Sequence, residues 1–204
     1  MSAEDYNKIH RNLYTELNEV YFWTITINKW QHLLQPEENK MIVINSLQWL
    51  VQKGLIKIYG YVIMPNHIHL MWEQLLMNGK EFPKNSFEKF TAKLLVKNMM
   101  ANNDEALKNY EVAARDRQHN IWLRDPLAIK VFSREMAIQK LYYIHMNSMQ
   151  SHWLLCTQPA EYKFSSAMFY EQNLDEFSLL SHFCEVFQMM AGGDTGHGGI
   201  YNLR

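Results

Sequence analysis

The chain has 204 residues, of which 48% are hydrophobic and 20% charged, and its formal net charge is −1. This length suits one domain with short extensions, and the apolar content excludes extensive disorder. No apolar run is long enough to span a membrane, the first residues lack the build of a secretory signal, and the two cysteines form no disulfide or metal-binding pattern. We therefore expect one cytoplasmic globular domain with no membrane partner, in which any charge for binding nucleic acid must be local.

The first part of the sequence predicts a strand, a helix and two further strands. Residues 20–30 are rich in β-branched and aromatic side chains, as is typical of a strand. From Glu37 to Gln52 apolar residues recur every three or four positions, which predicts a helix that covers a sheet. Two strand-like runs follow, Leu55 to Met64 and His67 to Gln74, and the Pro65-Asn66 pair between them favours a hairpin.

A second helix is predicted from Ser86 to Met100. Four of its apolar side chains are expected to face the core: Phe87, Phe90, Leu94 and Leu95. Lysines in and just before this helix are expected to face outward: Lys80, Lys84, Lys89, Lys93 and Lys97. Such a strip is usually a solvated helix face, and a DNA-binding surface is the alternative.

The rest of the sequence predicts a fourth strand and a third helix, which complete the order of elements. Residues 121–132 resemble a strand with Pro126 at an irregularity. Ser133-Arg-Glu-Met136 resembles a capping box that starts a third helix running to about Asn147. The order strand, helix, strand, strand, helix, strand predicts an α+β fold, a ferredoxin-like split βαβ sandwich. Its antiparallel sheet has helices on one face and an open second face, and the third helix is an addition. The predicted divisions of the chain are an N-terminal extension at 1–19, the main domain at 20–170, a helical extension at 171–190 and a Gly-rich flexible tail at 191–204.

Two histidines form the first candidate site. His67 and His69 lie two residues apart on a predicted strand, so their side chains point to the same face and could share a metal ion. By itself this spacing is weak evidence, because a hydrogen-bonded histidine on a strand is an equally good interpretation. A third ligand is needed.

The third helix supplies the second candidate group. Tyr143 and Asn147 are four residues apart and share one helix face. Asn147 could offer an amide oxygen to a metal, and the Tyr143 phenol could attack a phosphate activated by a divalent cation. Tyr142 is rotated by about 100° and is expected to pack in the interior. His145 could be a spare ligand, an orienting partner or a hydrogen-bonded surface histidine.

Three runs of sequence together resemble a known family. YVIMPNHIHLMW, YYIHMN and PAEYKFSSAMFY occur in that order, and the similarity extends over about residues 20–170. They resemble the HUH single-tyrosine transposases, in particular the REP-associated tyrosine transposase branch. After Asn147 this chain differs from the family's usual Asn-Pro-Val-Lys, because it continues Ser-Met-Gln and then Ser151-His-Trp-Leu-Leu155.

The resemblance implies a specific chemistry. His67, His69 and Asn147 would hold Mg²⁺ or Mn²⁺, and Tyr143 would attack a DNA phosphodiester to form a 5′-phosphotyrosine. Single-stranded or hairpin DNA is the implied substrate, and a homodimer is the implied assembly. The candidate DNA contacts are Lys84, Lys89, Lys93, Lys97 and Arg124, with Trp72 and Trp122 as candidate stacking surfaces.

Two other functions remain open on the sequence alone. A domesticated protein could have kept the fold and its affinity for hairpins as a regulator but lost turnover. Alternatively, an unrelated metal hydrolase could use His67, His69 and Glu73 to activate a water molecule.

Overall fold

The computed structural model describes residues 15–113, 118–124 and 126–187. Its strands and α-helices follow one another in the predicted order. They are β1 Val20–Thr26, α1 Glu37–Gln52, β2 Ile56–Ile63, β3 His67–Gln74, α2 Pro83–Ala101, β4 Leu127–Lys130, α3 Arg134–Met146 and α4 Ala167–Gln172.

The four strands form one antiparallel sheet in the order β2-β3-β1-β4. The central pair runs from Val20 opposite Glu73 to Thr26 opposite His67. This order, with the first two helices as crossovers, is the ferredoxin-like arrangement, so the predicted α+β fold class is confirmed.

β4 is shorter than the predicted strand at 121–132. Pro126 has no backbone N–H to donate to a strand ladder, and β4 begins at the residue after it. Before this break, Trp122 forms only an isolated bridge with Ile27. The chain therefore runs beside β1 twice, once before Pro126 and once after it.

One face of the sheet is covered by α1 and α2. Trp23 of β1 and Trp72 of β3 are fully buried there, and the Trp23 ring lies 6.0 Å from that of Phe87 on α2. Trp122 is also buried, and its indole N–H donates to Thr91 at 3.0 Å. The prediction that Trp72 and Trp122 offer stacking surfaces to DNA is therefore wrong, because both are core residues. Phe90, predicted to face inward, is instead 54% exposed.

The other face of the sheet is covered by α3. This helix begins where the capping box predicted, with the Ser133 hydroxyl accepting the Met136 N–H at 3.2 Å. Its apolar side packs on β1, β2 and β3 through a second cluster that includes Phe22, Tyr59, Met71, Leu141 and Ile144. The face of the sheet that was expected to be open is therefore partly covered by α3, the helix that carries Tyr143.

Close approach of α3 to the sheet depends on Gly60 in β2. A Cβ atom at this position would lie 2.4 Å from Cδ2 of Leu141, which is closer than real contacts allow. The β2–β3 register also shifts between Ile58 and Gly60. Glycine at this point lets the helix rest directly on the strand.

The segment predicted as a helical extension, 171–190, is mostly irregular where it is described. α4 ends at Gln172 because Asn173 adopts a left-handed conformation, with φ of 57°. The Asp175 carboxylate then accepts two backbone N–H groups, and Phe177 and Phe183 pack into the cores of the domain. The predicted tail at 191–204 and most of the predicted extension at 1–19 lie outside the described residues.

In the part of the chain that the structure describes, no helix has both the length and the apolar character needed to cross a membrane.

Candidate metal and nucleophile site

β3 carries His67 and His69 on the face that α3 covers. Both rings are buried, and their centroids lie 4.7 Å apart. Alternate residues of a strand share a face, so the predicted juxtaposition follows from strand geometry alone.

The first histidine is oriented by the residue before it. His67 Nδ1 lies 2.7 Å from Asn66 Oδ1, while the Asn66 amide group donates to the carbonyl oxygen of Trp30 at 3.3 Å. The second bond fixes which way the amide points, so His67 Nδ1 carries the proton and donates to an oxygen. The other ring nitrogen, Nε2, is left with the lone pair that a metal ligand needs.

The second histidine has a hydroxyl partner from the neighbouring strand. His69 Nδ1 lies 2.7 Å from Thr24 Oγ1, directly across the β1–β3 pair. His69 Nε2 is buried and has no hydrogen-bond partner among the described residues. A buried nitrogen without a partner is costly, and a bound cation would satisfy it.

Asn147 lies beside this pair at the end of α3. Its side chain is buried next to the His67 ring, and its Nδ2 atom has no partner within the described ranges. α3 ends at Met146, so Asn147 lies at the negative end of the helix dipole, which favours a cation.

Burial keeps both imidazoles neutral. It lowers the pKa of His67 to about 4, even though a charged ring would gain a hydrogen bond to Asn147, which acts in the opposite direction. Burial also lowers the pKa of His69 well below its usual value, and the nearby His67 and Lys140 lower that pKa further. Neutral imidazoles are the form that binds a metal, so the pair is ready as ligands at pH 7.

The donor set fits a divalent metal ion. The described residues contain no cluster of three or more His, Cys, Asp or Glu residues that could hold a metal. The candidate set is different in kind, since it combines two imidazole nitrogens with one amide group. Such a mixed set suits Mn²⁺ better than Mg²⁺, which prefers oxygen ligands.

Tyr143 borders the histidine pair and faces solvent. Its ring lies 5.1 Å from that of His69 and 5.8 Å from that of Phe22, and the residue is 44% exposed. An incoming substrate can therefore reach it. Tyr142, expected to pack in the interior, is instead 49% exposed, because its place on α3 turns it away from the sheet.

His145 belongs to the core. It is fully buried on α3, and its Nε2 lies 2.9 Å from the hydroxyl of Ser166, which also bonds to the Tyr61 backbone. Burial lowers the pKa of His145 to about 3. Of the three roles that the sequence left open, the structure favours a hydrogen-bonded histidine, but this histidine lies in the interior and not on the surface.

Lys140 is a site residue that the sequence analysis missed. It lies one turn before Tyr143 on α3, and its Nζ atom is 5.1 Å from the centre of the Phe22 ring. Its half-buried position lowers its pKa. The three-residue spacing from Tyr143 was the available signal, because residues three apart share a helix face.

The predicted DNA contacts fall into two groups. Lys89, Lys93 and Lys97 are exposed on α2, and Lys84 is half-buried there. α2 packs on the opposite face of the sheet from the histidines, so the structure does not bring these lysines to the site. Arg124 is exposed in the segment whose Leu123 N–H bonds to the Thr26 carbonyl, at the His67 end of β1.

Comparison with known proteins gives a structural likeness but no sequence match. No protein-family model matches the sequence, and no curated protein matches it. The structure is similar to a solved structure of a REP-associated tyrosine transposase bound to a REP hairpin, with a TM-score of 0.54 and 17% sequence identity. The match covers 89% of this chain and 94% of the other. The chain therefore has the fold of a REP-associated tyrosine transposase.

Proposed function

We propose that this protein cleaves and rejoins single-stranded or hairpin DNA through a covalent 5′-phosphotyrosine at Tyr143. The observation that carries the proposal is a continuous row of three rings, in which exposed Tyr143 borders buried His69 and His69 borders His67. A reachable nucleophile beside neutral metal ligands suits attack on a phosphodiester. The hairpin bound to the structurally similar transposase supports DNA as the substrate.

In this proposal His67, His69 and Asn147 hold Mn²⁺ or Mg²⁺. The bound cation supplies positive charge to the scissile phosphate, which makes its phosphorus more electrophilic. Asn66 and Thr24 engage Nδ1 of the two imidazoles, which leaves Nε2 of each ring available to the cation. Lys140 adds a second positive charge on the Tyr143 side of the site.

The reaction is a transfer between two phosphate esters. The phenolic oxygen of Tyr143 attacks phosphorus and gives up its proton to solvent, and the bond from phosphorus to the 3′ oxygen breaks. The 3′ oxygen leaves and takes a proton, while the 5′ phosphate stays on the tyrosine. Nothing is oxidised or reduced, and a 3′ hydroxyl can reverse the step because the ester bond is conserved.

The other predicted properties remain part of the proposal. A homodimer, a cytoplasmic location and DNA contacts from Arg124 and the lysines Lys84, Lys89, Lys93 and Lys97 stay predictions.

The hydrolase alternative has less support. Its third residue, Glu73, accepts a hydrogen bond from the Tyr59 hydroxyl at 2.6 Å. It lies four residues beyond His69 on β3, which is about 13 Å along an extended strand. Glu73 is therefore engaged elsewhere, whereas Tyr143 borders the pair directly.

Covalent capture tests the proposal. A 3′-labelled oligonucleotide with a hairpin and single-stranded arms is incubated with Mn²⁺, and protein-bound label is measured after denaturation. Wild-type protein and Tyr142→Phe are expected to retain the 3′ label, and Tyr143→Phe is expected to lose it. A normal adduct with Tyr143→Phe contradicts the proposal, as does retention of a 5′ label. Tight binding without an adduct in the wild type favours the regulator alternative.

A further inference from the structure

Two tryptophans border the histidine pair without belonging to the donor set. The ring of Trp30 lies 6.5 Å from that of His67, and the ring of Trp153 lies 6.2 Å from it. Trp30 is 60% exposed and Trp153 is half-buried. Aromatic faces therefore stand in reach of solvent beside the position proposed for the scissile phosphate.

The backbone holds Trp30 in an unfavourable conformation. Both Lys29 and Trp30 have positive φ, 56° and 57°, a region that bulky side chains rarely adopt. Two hydrogen bonds keep them there: the Trp30 N–H donates to Ile27 at 2.9 Å, and the Trp30 carbonyl accepts from Asn66. Because Asn66 also orients His67, one side chain fixes both the exposed indole and the metal ligand.

Trp153 comes from the segment in which this chain departs from the family pattern. After Asn147 the chain folds back. The backbone N–H of Trp153 donates to the carbonyl oxygen of Gln150 at 2.8 Å, and the backbone N–H of Leu155 donates to the carbonyl oxygen of Ser148 at 2.9 Å. This turn places the Trp153 ring among three imidazoles. They belong to His67, His32 and His152, and the last two are exposed at 5.4 and 5.3 Å from Trp153.

We propose that Trp30 and Trp153 form a stacking site for one unpaired nucleobase next to the phosphate that Tyr143 attacks. The location of that phosphate rests on the proposed function. Aromatic side chains stack on any base whose face is free, whereas a base inside a duplex is covered on both sides by its neighbours. The site therefore selects unpaired DNA at the cleaved position and tolerates different bases there.

Binding measurements without cleavage test this site. Tyr143→Phe protein is titrated with a hairpin oligonucleotide in which each unpaired arm position in turn carries 2-aminopurine, a fluorescent base that stacking quenches. We expect strong quenching at one position. Trp30→Ala is expected to abolish it and to weaken binding about 5- to 150-fold, the usual range for one lost base stack.

Trp49 provides the matched control. It is 46% exposed on α1, on the opposite side of the sheet, so Trp49→Ala is expected to leave quenching and affinity unchanged. An abasic nucleotide at the quenched position should cost the parent protein at least as much affinity as Trp30→Ala does, and should cost the Trp30→Ala protein clearly less than it costs the parent, because only the Trp153 contact is left to lose. Equal effects of Trp30→Ala and Trp49→Ala, or additive losses from the abasic site and Trp30→Ala, overturn the proposal.

Two further variants guard against misfolding. Trp30→Phe keeps an aromatic face and should retain most of the quenching, while Trp30→Leu keeps apolar bulk and should lose it. Equal quenching by the two variants contradicts stacking.

The quenching assay does not depend on DNA cleavage. Quenching at Trp30 with no adduct in wild-type protein would overturn the tyrosine reaction alone, and an adduct with unchanged quenching in Trp30→Ala would overturn the base site alone.

Discussion

At the scale of single residues, the histidines depend on neighbours that the sequence did not reveal. The two-residue spacing of His67 and His69 sufficed to predict a shared face, because strand geometry is local. Asn66 and Thr24 could not be assigned in this way. Thr24 meets His69 only through the β1–β3 register, which is fixed by pairing between segments about 45 residues apart.

The orienting hydroxyl gives a test at this scale. Thr24→Val keeps the shape of the side chain but removes the partner of His69 Nδ1. Loss of such an outer partner typically lowers metal affinity about 10- to 100-fold, so we expect weaker Mn²⁺ binding by calorimetric titration. Thr26→Val, on the same face of β1 and opposite His67, is the matched control and should bind within a factor of about two. Equal losses in the two variants would argue against a specific role for Thr24.

At the scale of elements, α3 shows both what local sequence can predict and where it stops. Ser133 was enough to place the start of the helix, since capping is local, and the predicted end at about Asn147 lies one residue from the observed end at Met146. That the helix lies on the second face of the sheet follows from long-range packing around Gly60, for which the sequence offered no sign. The irregularity predicted at Pro126 is a local effect of a residue without a backbone N–H, and in the structure it divides the predicted strand so that only Leu127–Lys130 pairs as β4.

The contact between β2 and α3 predicts a specific pattern of stabilities. Gly60→Ala should lower the free energy of unfolding by about 1–3 kcal/mol, because the new methyl group overlaps Leu141. Adduct formation should slow as well, because Leu141 is on the same helix as Tyr143. Urea unfolding checks the first effect and the capture assay the second.

A double variant separates this overlap from other effects of the alanine. Leu141→Val should destabilise the wild type but cost clearly less in the Gly60→Ala background, with a coupling of at least about 0.5 kcal/mol. Additive costs would mean that the two side chains do not meet as described.

At the scale of the whole molecule, the sheet separates two surfaces. The proposed reaction site lies under α3, while the exposed lysines of α2 lie on the other side. The sequence predicted the lysine strip correctly as exposed at Lys89, Lys93 and Lys97. It could not show the side on which α2 lies relative to the histidines, because that depends on how the crossovers wind around the sheet.

This separation predicts how charge affects binding. A single strand of about ten nucleotides should bind the combined Lys89→Gln, Lys93→Gln and Lys97→Gln variant as it binds wild type, with the same salt dependence. Lys140→Gln should weaken binding and reduce the magnitude of the slope of log K against log salt by about 0.7. A long hairpin is the substrate on which the α2 lysines are expected to act. A reduced slope for the triple variant with the short strand would contradict this arrangement.

Identifying the tyrosine that carries the DNA tests the central claim most directly. After capture with Mn²⁺, trypsin should release residues 141–163 as one peptide, which contains Tyr142, Tyr143 and Tyr162. Nuclease digestion followed by fragmentation in a mass spectrometer then locates the remaining 5′-linked nucleotide. The account predicts that it lies on Tyr143. A nucleotide on Tyr142 or Tyr162, or one linked through its 3′ phosphate, would contradict it.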